Sequence, residues 1–407
     1  MIRCSRHVNS TRRLSLLRSN CWSSRRYSSP SPAERVQVAV QSNGSITLDV
    51  HQPQNPSPDQ NRSTTALLYL PRGPLQHSAE HDASNIDIMR SVLPCPIVQV
   101  NYRLSRTERY PTPIHDVLSG YDWVRENLLP KRSIGRAGRS EHIGRLAICG
   151  ELIGGGLASM LSLTECRVGE PGIVAAAINN PLVDWISLTI PSGGLKSTKR
   201  NKPAEDDALQ PDLKALSTLR AQLFHRPYDY FDSFASPILY FRSPGAEVPP
   251  APALPLDEMD HLSLLERQEL LQDEDMGDIP ESPPQRKVSK RFPSKALRLR
   301  LPSFHISAGT SSPTRWQTEE FTTLLRKSVA RQSKEWSESA DFGRKVLYDE
   351  DEGDLKDGQL RDVEADVDKK VRMDLCAGGS EWDDSDAGRK RVRQAAEWLR
   401  QALHPAG

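Results

Sequence analysis

Gly150-Glu151-Leu152-Ile153-Gly154 carries the frame G-x-S-x-G, a sharp strand-to-helix turn that exposes one side chain for attack on a carbonyl. A serine there, with a histidine to take its proton and an acid to orient that histidine, performs acyl transfer. The position holds Leu152, which has no nucleophilic atom. The flanks still fit the turn. Gly144–Cys149 reads as a short buried strand, and Gly155–Leu161 as the start of a helix packed closely on it. The positioning element of a nucleophile is present and the nucleophile is not.

The elements that would hold such a turn follow along the chain. Arg35–Ser42 and Gly44–His51 alternate apolar and polar residues and meet at Asn43-Gly44, a hairpin signal. Ala66–Leu70, Pro96–Tyr102, Arg145–Cys149 and Ile173–Ile178 are short apolar strands; Ile114–Leu129 and Ile153–Glu165 have helical periodicity. Continuous apolar strands alternating with helices predict an α/β fold, a mostly parallel sheet covered by helices on both faces, with the hairpin at one edge. After Pro181 the pattern loosens. Residues 190–235 read as a partial cap, with a helix over Leu213–Phe224. Residues 245–295, rich in proline and charge, read as a disordered insertion with one helix over Asp257–Leu271, and 349–368 as an acidic loop. Leu299–Ala308 and Val371–Cys376 read as the last strands, Arg315–Arg331 and Ala387–Leu403 as the last helices, and Trp398 and Leu399 are expected to face inward.

Composition bounds the function. Hydrophobic content of 37% with 31 prolines in 407 residues fits one ordinary domain plus disordered insertions. The net charge of +1 conceals seven arginines and no acid before Glu34; without them the balance falls to about −6. That basic, serine-rich stretch, residues 1–33, has the composition of a mitochondrial transit peptide, with Arg26-Tyr27-Ser28-Ser29 like a matrix-peptidase cleavage site. The expected location is the mitochondrion, matrix side, and residues 34–407 form a single domain. No apolar run approaches the roughly 20 residues of a membrane helix, and a mature acidic domain without basic stripes is not expected to bind nucleic acid. Cys95, Cys149, Cys166 and Cys376 show no C-x-x-C spacing and read as reduced thiols, so neither a disulfide framework nor a metal site is expected. No cofactor is expected either.

Together these motifs resemble the hormone-sensitive-lipase-like branch of the α/β-hydrolases, the fold-3 family. Asn101-Tyr102-Arg103-Leu104 looks like that branch's D-Y-R-L. Tyr110-Pro111-x-Pro113 with Asp116 and Trp123 looks like its F-P-x-x-x-x-D…W segment. Gly150-Glu151-Leu152-Ile153-Gly154-Gly155-Gly156-Leu157-Ala158 follows G-D-S-A-G-G-N-L-A at most positions, and Asn180-Pro181-Leu182-Val183-Asp184 resembles the segment after the next strand. The resemblance implies an α/β-hydrolase fold and an esterase or lipase ancestry.

The departures fall on the chemistry that the resemblance implies. The nucleophile position is Leu152. The acid's position, in Gly309-Thr310-Ser311-Ser312-Pro313, holds Ser312. The histidine's position, in Ser380-Glu381-Trp382, holds Ser380. The oxyanion motif H-G-G-G reads Pro71-Arg72-Gly73-Pro74, and Pro74 removes an amide donor; Ile153, after the elbow residue, would supply the other. His305 lies inside a strand and His404 at the chain's end, and neither replaces the base. Glu151 reads as a helix-start carboxylate, Ser159 as packing and Asp116 as structural. Arg72 reads either as a solvated loop residue or, with Tyr102 and Glu151, as lining for a ligand.

The expected function is that of a catalytically inactive hydrolase homologue. It would serve as a mitochondrial protein that binds a small anionic or apolar ligand in the old pocket, or a protein partner. Plant gibberellin receptors in the same branch bind a small acid without hydrolysing esters. The competing expectation is a carboxylic-ester hydrolase with a non-standard catalytic set.

Overall fold

Apolar runs bounded by turn residues become eight strands of one sheet, in the order β1-β2-β4-β3-β5-β6-β7-β8. The structure is a computed structural model and describes residues 33–41, 43–55, 65–73, 79–129, 143–188, 206–248, 287–341 and 366–404. The transit peptide expected over residues 1–33 lies, but for its last residue, outside the described residues.

β1 (Glu34–Ala39) and β2 (Ser45–His51) form the antiparallel edge hairpin, with Val38 opposite Ile46 and Gly44 at a φ of +83° that suits glycine. β2 also pairs antiparallel with β4 (Ile97–Asn101). From β4 through β3 (Thr65–Leu70), β5 (Arg145–Glu151), β6 (Gly172–Asn179), β7 (Ser303–Gly309) and β8 (Val371–Cys376), every pairing is parallel. β3 is buried along its whole length, as a strand covered on both faces must be.

The helices form the two outer layers. α2 (Thr112–Asn127), α3 (Leu152–Thr164) and α5 (Arg315–Asp341) cover one face, packing Val117, Val124, Leu157, Leu161, Phe321 and Leu325 against Leu68, Val98, Ile148 and Ile306. α1 (Ala79–Val92) and α6 (Asp386–Leu403) cover the other, where Ala147, Ala175 and Ala177 let Ala395, Ala396 and Leu399 approach closely. Leu399 is fully buried, whereas Trp398 is half-buried with its ring against His305.

Three elements differ from the sequence reading. Helix α1 was not expected, because its first two turns lack apolar periodicity; Asp82 and Asn85 are buried there beside Ile86 and Met89. β7 starts at Ser303 rather than Leu299, since Pro302 has no amide to extend the ladder, and Leu299 makes only an isolated bridge to Arg167. α5 runs on past Arg331 to Asp341.

In the region expected as a cap, α4 (Asp206–Leu223) is fastened by Tyr110 N–H donating to Leu223 O at 2.9 Å, and Phe224 stacks on Tyr110 at 4.4 Å. The roots of the expected insertion are ordered: Arg242 bridges Ser289 and Lys290 N–H donates to Phe241 O at 2.7 Å. The helix expected at Asp257–Leu271 lies outside the described residues, as does most of the acidic stretch, of which residues 366–368 are helical.

Candidate functional site

Glu151 ends β5 in extended backbone, with φ −128° and ψ 149°, and Leu152 then turns to a φ of +52° to start α3. That left-handed conformation costs a leucine about 1–2 kcal/mol, so the turn is imposed by what surrounds it. A Cβ on Gly154 would sit 2.2 Å from Pro71 O and 2.4 Å from Leu70 O; one on Gly156 would sit 2.3 Å from Leu182 O. These are backbone atoms that cannot swing aside. The glycines therefore let α3 seat against the ends of β3 and the segment after β6, and Leu182 N–H donates to Leu152 O at 3.0 Å. Gly150 and Gly155 are buried in the same seat. Leu152 itself is half-buried and Ile153 fully buried.

The space where an acyl-transfer site would work is crossed by a buried ion pair. Arg72, just after β3, places Nη2 2.6 Å from Glu151 Oε2, with the two side chains 2% and 3% exposed. The same Nη2 donates to Trp382 O at 2.8 Å, and Nη1 lies 3.5 Å from the half-exposed Glu381. Glu151 Oε1 accepts from Trp382 N–H at 2.8 Å and from Asn179 Nδ2 at 2.7 Å. Asn179 Nδ2 also donates to Ser380 O at 2.7 Å, and its Oδ1 accepts from Ser307 Oγ at 2.7 Å. Asn180 Nδ2 donates to Gly379 O at 2.9 Å while its Oδ1 accepts from Gly309 N–H at 3.0 Å. Asn85 Nδ2 reaches Trp382 O at 3.1 Å. The loop after β8, residues 379–382, is thus tied to the ends of β3, β5, β6 and β7.

Burial dominates the electrostatics. It pushes the Glu151 carboxyl up to about 7, against the opposing pull of Arg72, the Trp382 amide and Asn179. A buried pair of this kind holds when each charge has further hydrogen-bond partners, and both do here.

The other two residues expected at triad positions, Ser312 and Ser380, lie on the same edge of the sheet. Ser312 follows β7, is buried, and has its hydroxyl 3.1 Å from that of Thr314. Ser380 follows β8 at a φ of +56°, and its buried hydroxyl has no hydrogen-bond partner among the described residues. Of the oxyanion motif, Gly73 keeps a φ of +88°, Pro71 O accepts from Tyr102 Oη at 2.6 Å, and Pro74 lies outside the described residues. Tyr102 is held against the backbone and Arg72 against Glu151, so the structure brings the three expected lining residues together but engages each with the protein itself. Arg72 is not a solvated loop residue: its guanidinium is buried.

The remaining candidates have structural partners. Ser159 Oγ donates to Gly155 O at 2.8 Å inside α3. Asp116 is fully buried and chelates Arg103, which donates from Nε, Nη2 and its backbone amide at 2.7–3.0 Å. His305 Nε2 lies 2.9 Å from Asp374 Oδ2, and burial pushes the imidazole down; its ring packs on α6, away from the elbow. Cys149 is buried and its thiol is pushed far up by burial.

Sequence reading missed Asn179, Asn85 and the Trp382 backbone as members of the network. The available signal was an Asn-Asn pair ending an otherwise apolar strand, beside an acid at a frame position that packing had to bury. Among the described residues no group of three or more His, Cys, Asp or Glu could hold a metal ion, and no helix is long and apolar enough to cross a membrane.

A strand-elbow-helix at the carboxyl ends of a mostly parallel, doubly covered sheet is the arrangement of the α/β-hydrolase fold. A family model described as alpha/beta hydrolase fold matches residues 75–262. Among solved structures, the chain is similar to a hyperthermophilic esterase from Pyrobaculum calidifontis, at 14% identity and a TM-score of 0.52 over 91% of this chain and 83% of that one. It is also similar to EstE1, a thermophilic carboxylesterase cloned from a metagenomic library, at 17% identity, a TM-score of 0.51 and 93% and 91% coverage. Carboxyl esterase 2 of Tuber melanosporum gives 13%, 0.52, and 93% and 88%. At such identities the likeness shows the fold alone. The sequence matches none of the curated proteins with which it was compared. The fold is the α/β-hydrolase fold of the esterase- and lipase-like kind.

Proposed function

We propose that this chain is a catalytically inactive member of that esterase- and lipase-like family, and that it works in mitochondria by binding rather than by turnover. One observation carries the reading: the elbow keeps its strained backbone, with Leu152 at a φ of +52°, while the side chain it displays has no nucleophilic atom. Ser312 and Ser380 at the acid and base positions support it, because triad residues act as a unit and loss of the nucleophile alone costs on the order of 10⁶ in turnover. So does the Arg72–Glu151 pair, which closes the former oxyanion region. With Arg72, Glu151 and Tyr102 already engaged, an anion at that place would have to displace a buried ion pair, which favours a protein partner or an apolar ligand over a small acid there. Import rests on the seven arginines before Glu34.

The test is hydrolysis of p-nitrophenyl acetate and butyrate by the full chain and by Leu152→Ser. Both should match buffer, since the serine would have neither base nor acid. Release tenfold or more above buffer in Leu152→Ser would mean that a working histidine and acid stand elsewhere around the elbow.

A further inference from the structure

Residues 287–298 carry five cations, Lys287, Lys290, Arg291, Lys295 and Arg298, and no acid. They form a strap laid over α5 and the end of α3. Backbone bonds fasten both its ends: Lys290 N–H donates to Phe241 O at 2.7 Å, and Val168 N–H, just after α3, donates to Arg298 O at 3.0 Å. The middle is pinned inward. Phe292 and Pro293 are buried, the Phe292 ring packs on Tyr240 and Phe241, and its carbonyl accepts from Ser328 Oγ and Arg331 Nη2 of α5. Residues 287–291 and 294–298 are left exposed on either side of that anchor. Three of the seven large apolar side chains exposed among the described residues stand on or beside the strap: Val288 at 62%, Leu297 at 50%, and Val168. A single exposed apolar side chain is ordinary. Here they sit between cations, on a segment whose inward contacts are already made by Phe292 and Pro293.

We infer that this strap is a docking surface for a bilayer of anionic phospholipid. Cations draw a protein to such a headgroup layer, and apolar tips beside them enter the boundary of the acyl chains, so that it is held at the surface without a crossing helix. Arg291, Lys295 and Arg298 supply the charge, and Val288 and Leu297 the apolar tips. A phosphate backbone of nucleic acid would engage the cations and leave both tips without an apolar partner. Glu320, 3.4 Å from Lys287, and Glu170, two residues beyond Val168, moderate the charge near the two ends of the strap. The middle cations are therefore the ones expected to matter most. The strap shares no residue with the elbow and does not depend on whether the elbow is active.

Co-sedimentation with phosphatidylcholine vesicles, with and without phosphatidylglycerol, tests the proposal. The full chain is used with the seven arginines before Glu34 changed to serine, so that those arginines cannot do the binding. Capture is expected only when phosphatidylglycerol is present, and it should weaken as salt rises. Arg291→Gln with Lys295→Gln should weaken it about tenfold or more. Val288→Ser with Leu297→Ser should weaken it as well. All four side chains are exposed, so an unchanged circular-dichroism spectrum is expected of both variants. Lys390→Gln with Arg393→Gln, exposed on α6 at the opposite face of the sheet, should change nothing. Absence of capture, equal capture by neutral vesicles, equal capture of the strap variants, or loss in the α6 variant instead overturns the proposal. Loss in the Arg291 and Lys295 variant with none in the Val288 and Leu297 variant also overturns it, because attraction by charge alone is what an acidic protein or a nucleic acid would use.

Discussion

Arg72 Nη2 lies 2.6 Å from Glu151 Oε2, and both side chains are almost wholly buried beneath the loop that follows the last strand. The pair joins Arg72, two residues after β3, to Glu151, the last residue of β5 and the one before Leu152. Through the Trp382 amide and carbonyl it fixes the segment that follows β8. With its hydrogen-bond partners the pair forms a clasp between four strand ends.

Removing one partner of this pair should be costly. Arg72→Met leaves the Glu151 carboxyl buried with no cation beside it, and urea denaturation should show a loss of about 3–5 kcal/mol. Proton uptake by Glu151 limits that loss. The double variant Arg72→Met with Glu151→Leu should recover part of it, because apolar groups need no charge compensation. A single-variant loss below about 1 kcal/mol would mean that the pair is not the clasp described.

Glu151 also gives stability a pH dependence of defined sign. Burial raises its folded-state value from 4.5 to about 7, so between those values the folded chain binds more protons than the unfolded one. Its contribution is present below about 4.5, declines as pH rises to about 7, and is constant above. Chemical denaturation of wild type and Glu151→Gln from pH 5 to 8 isolates the term. Wild type should lose stability relative to the variant across that range, by on the order of a few kcal/mol. A difference that grows in wild type's favour as pH rises would place the carboxyl below its ordinary range instead.

Gly154→Ala should be among the most damaging single changes. Its methyl would lie 2.2 Å from Pro71 O and 2.4 Å from Leu70 O, so β3 and α3 must part; a loss above about 4 kcal/mol is expected by thermal or urea denaturation. A near-neutral result would show that the elbow helix is not seated on β3 as described.

Much of this fold was legible in the sequence because its strands are continuous apolar runs. β8 matched residue for residue, and the hairpin at Asn43-Gly44 announced itself through its turn. Helix α1 was not legible, since Asp82 and Asn85 face inward where periodicity calls for apolar residues. At the site, spacing located the elbow and placed Arg72 and Glu151 near it. What spacing could not reveal was that they neutralise each other, because that depends on the loop after β8 arriving from more than 200 residues away in the sequence to donate the Trp382 amide. Likewise, Tyr102 read as a pocket wall; only its 2.6 Å contact with Pro71 O gives it a structural partner.

The central claim is that the elbow has been kept as a fold element without its chemistry. Intact-mass spectrometry of the full chain after incubation with a fluorophosphonate that labels serine hydrolases tests it most directly. The account predicts an unmodified mass under conditions that label an active esterase to completion. A stoichiometric adduct, mapped by peptide sequencing to any residue bordering Leu152, would contradict it.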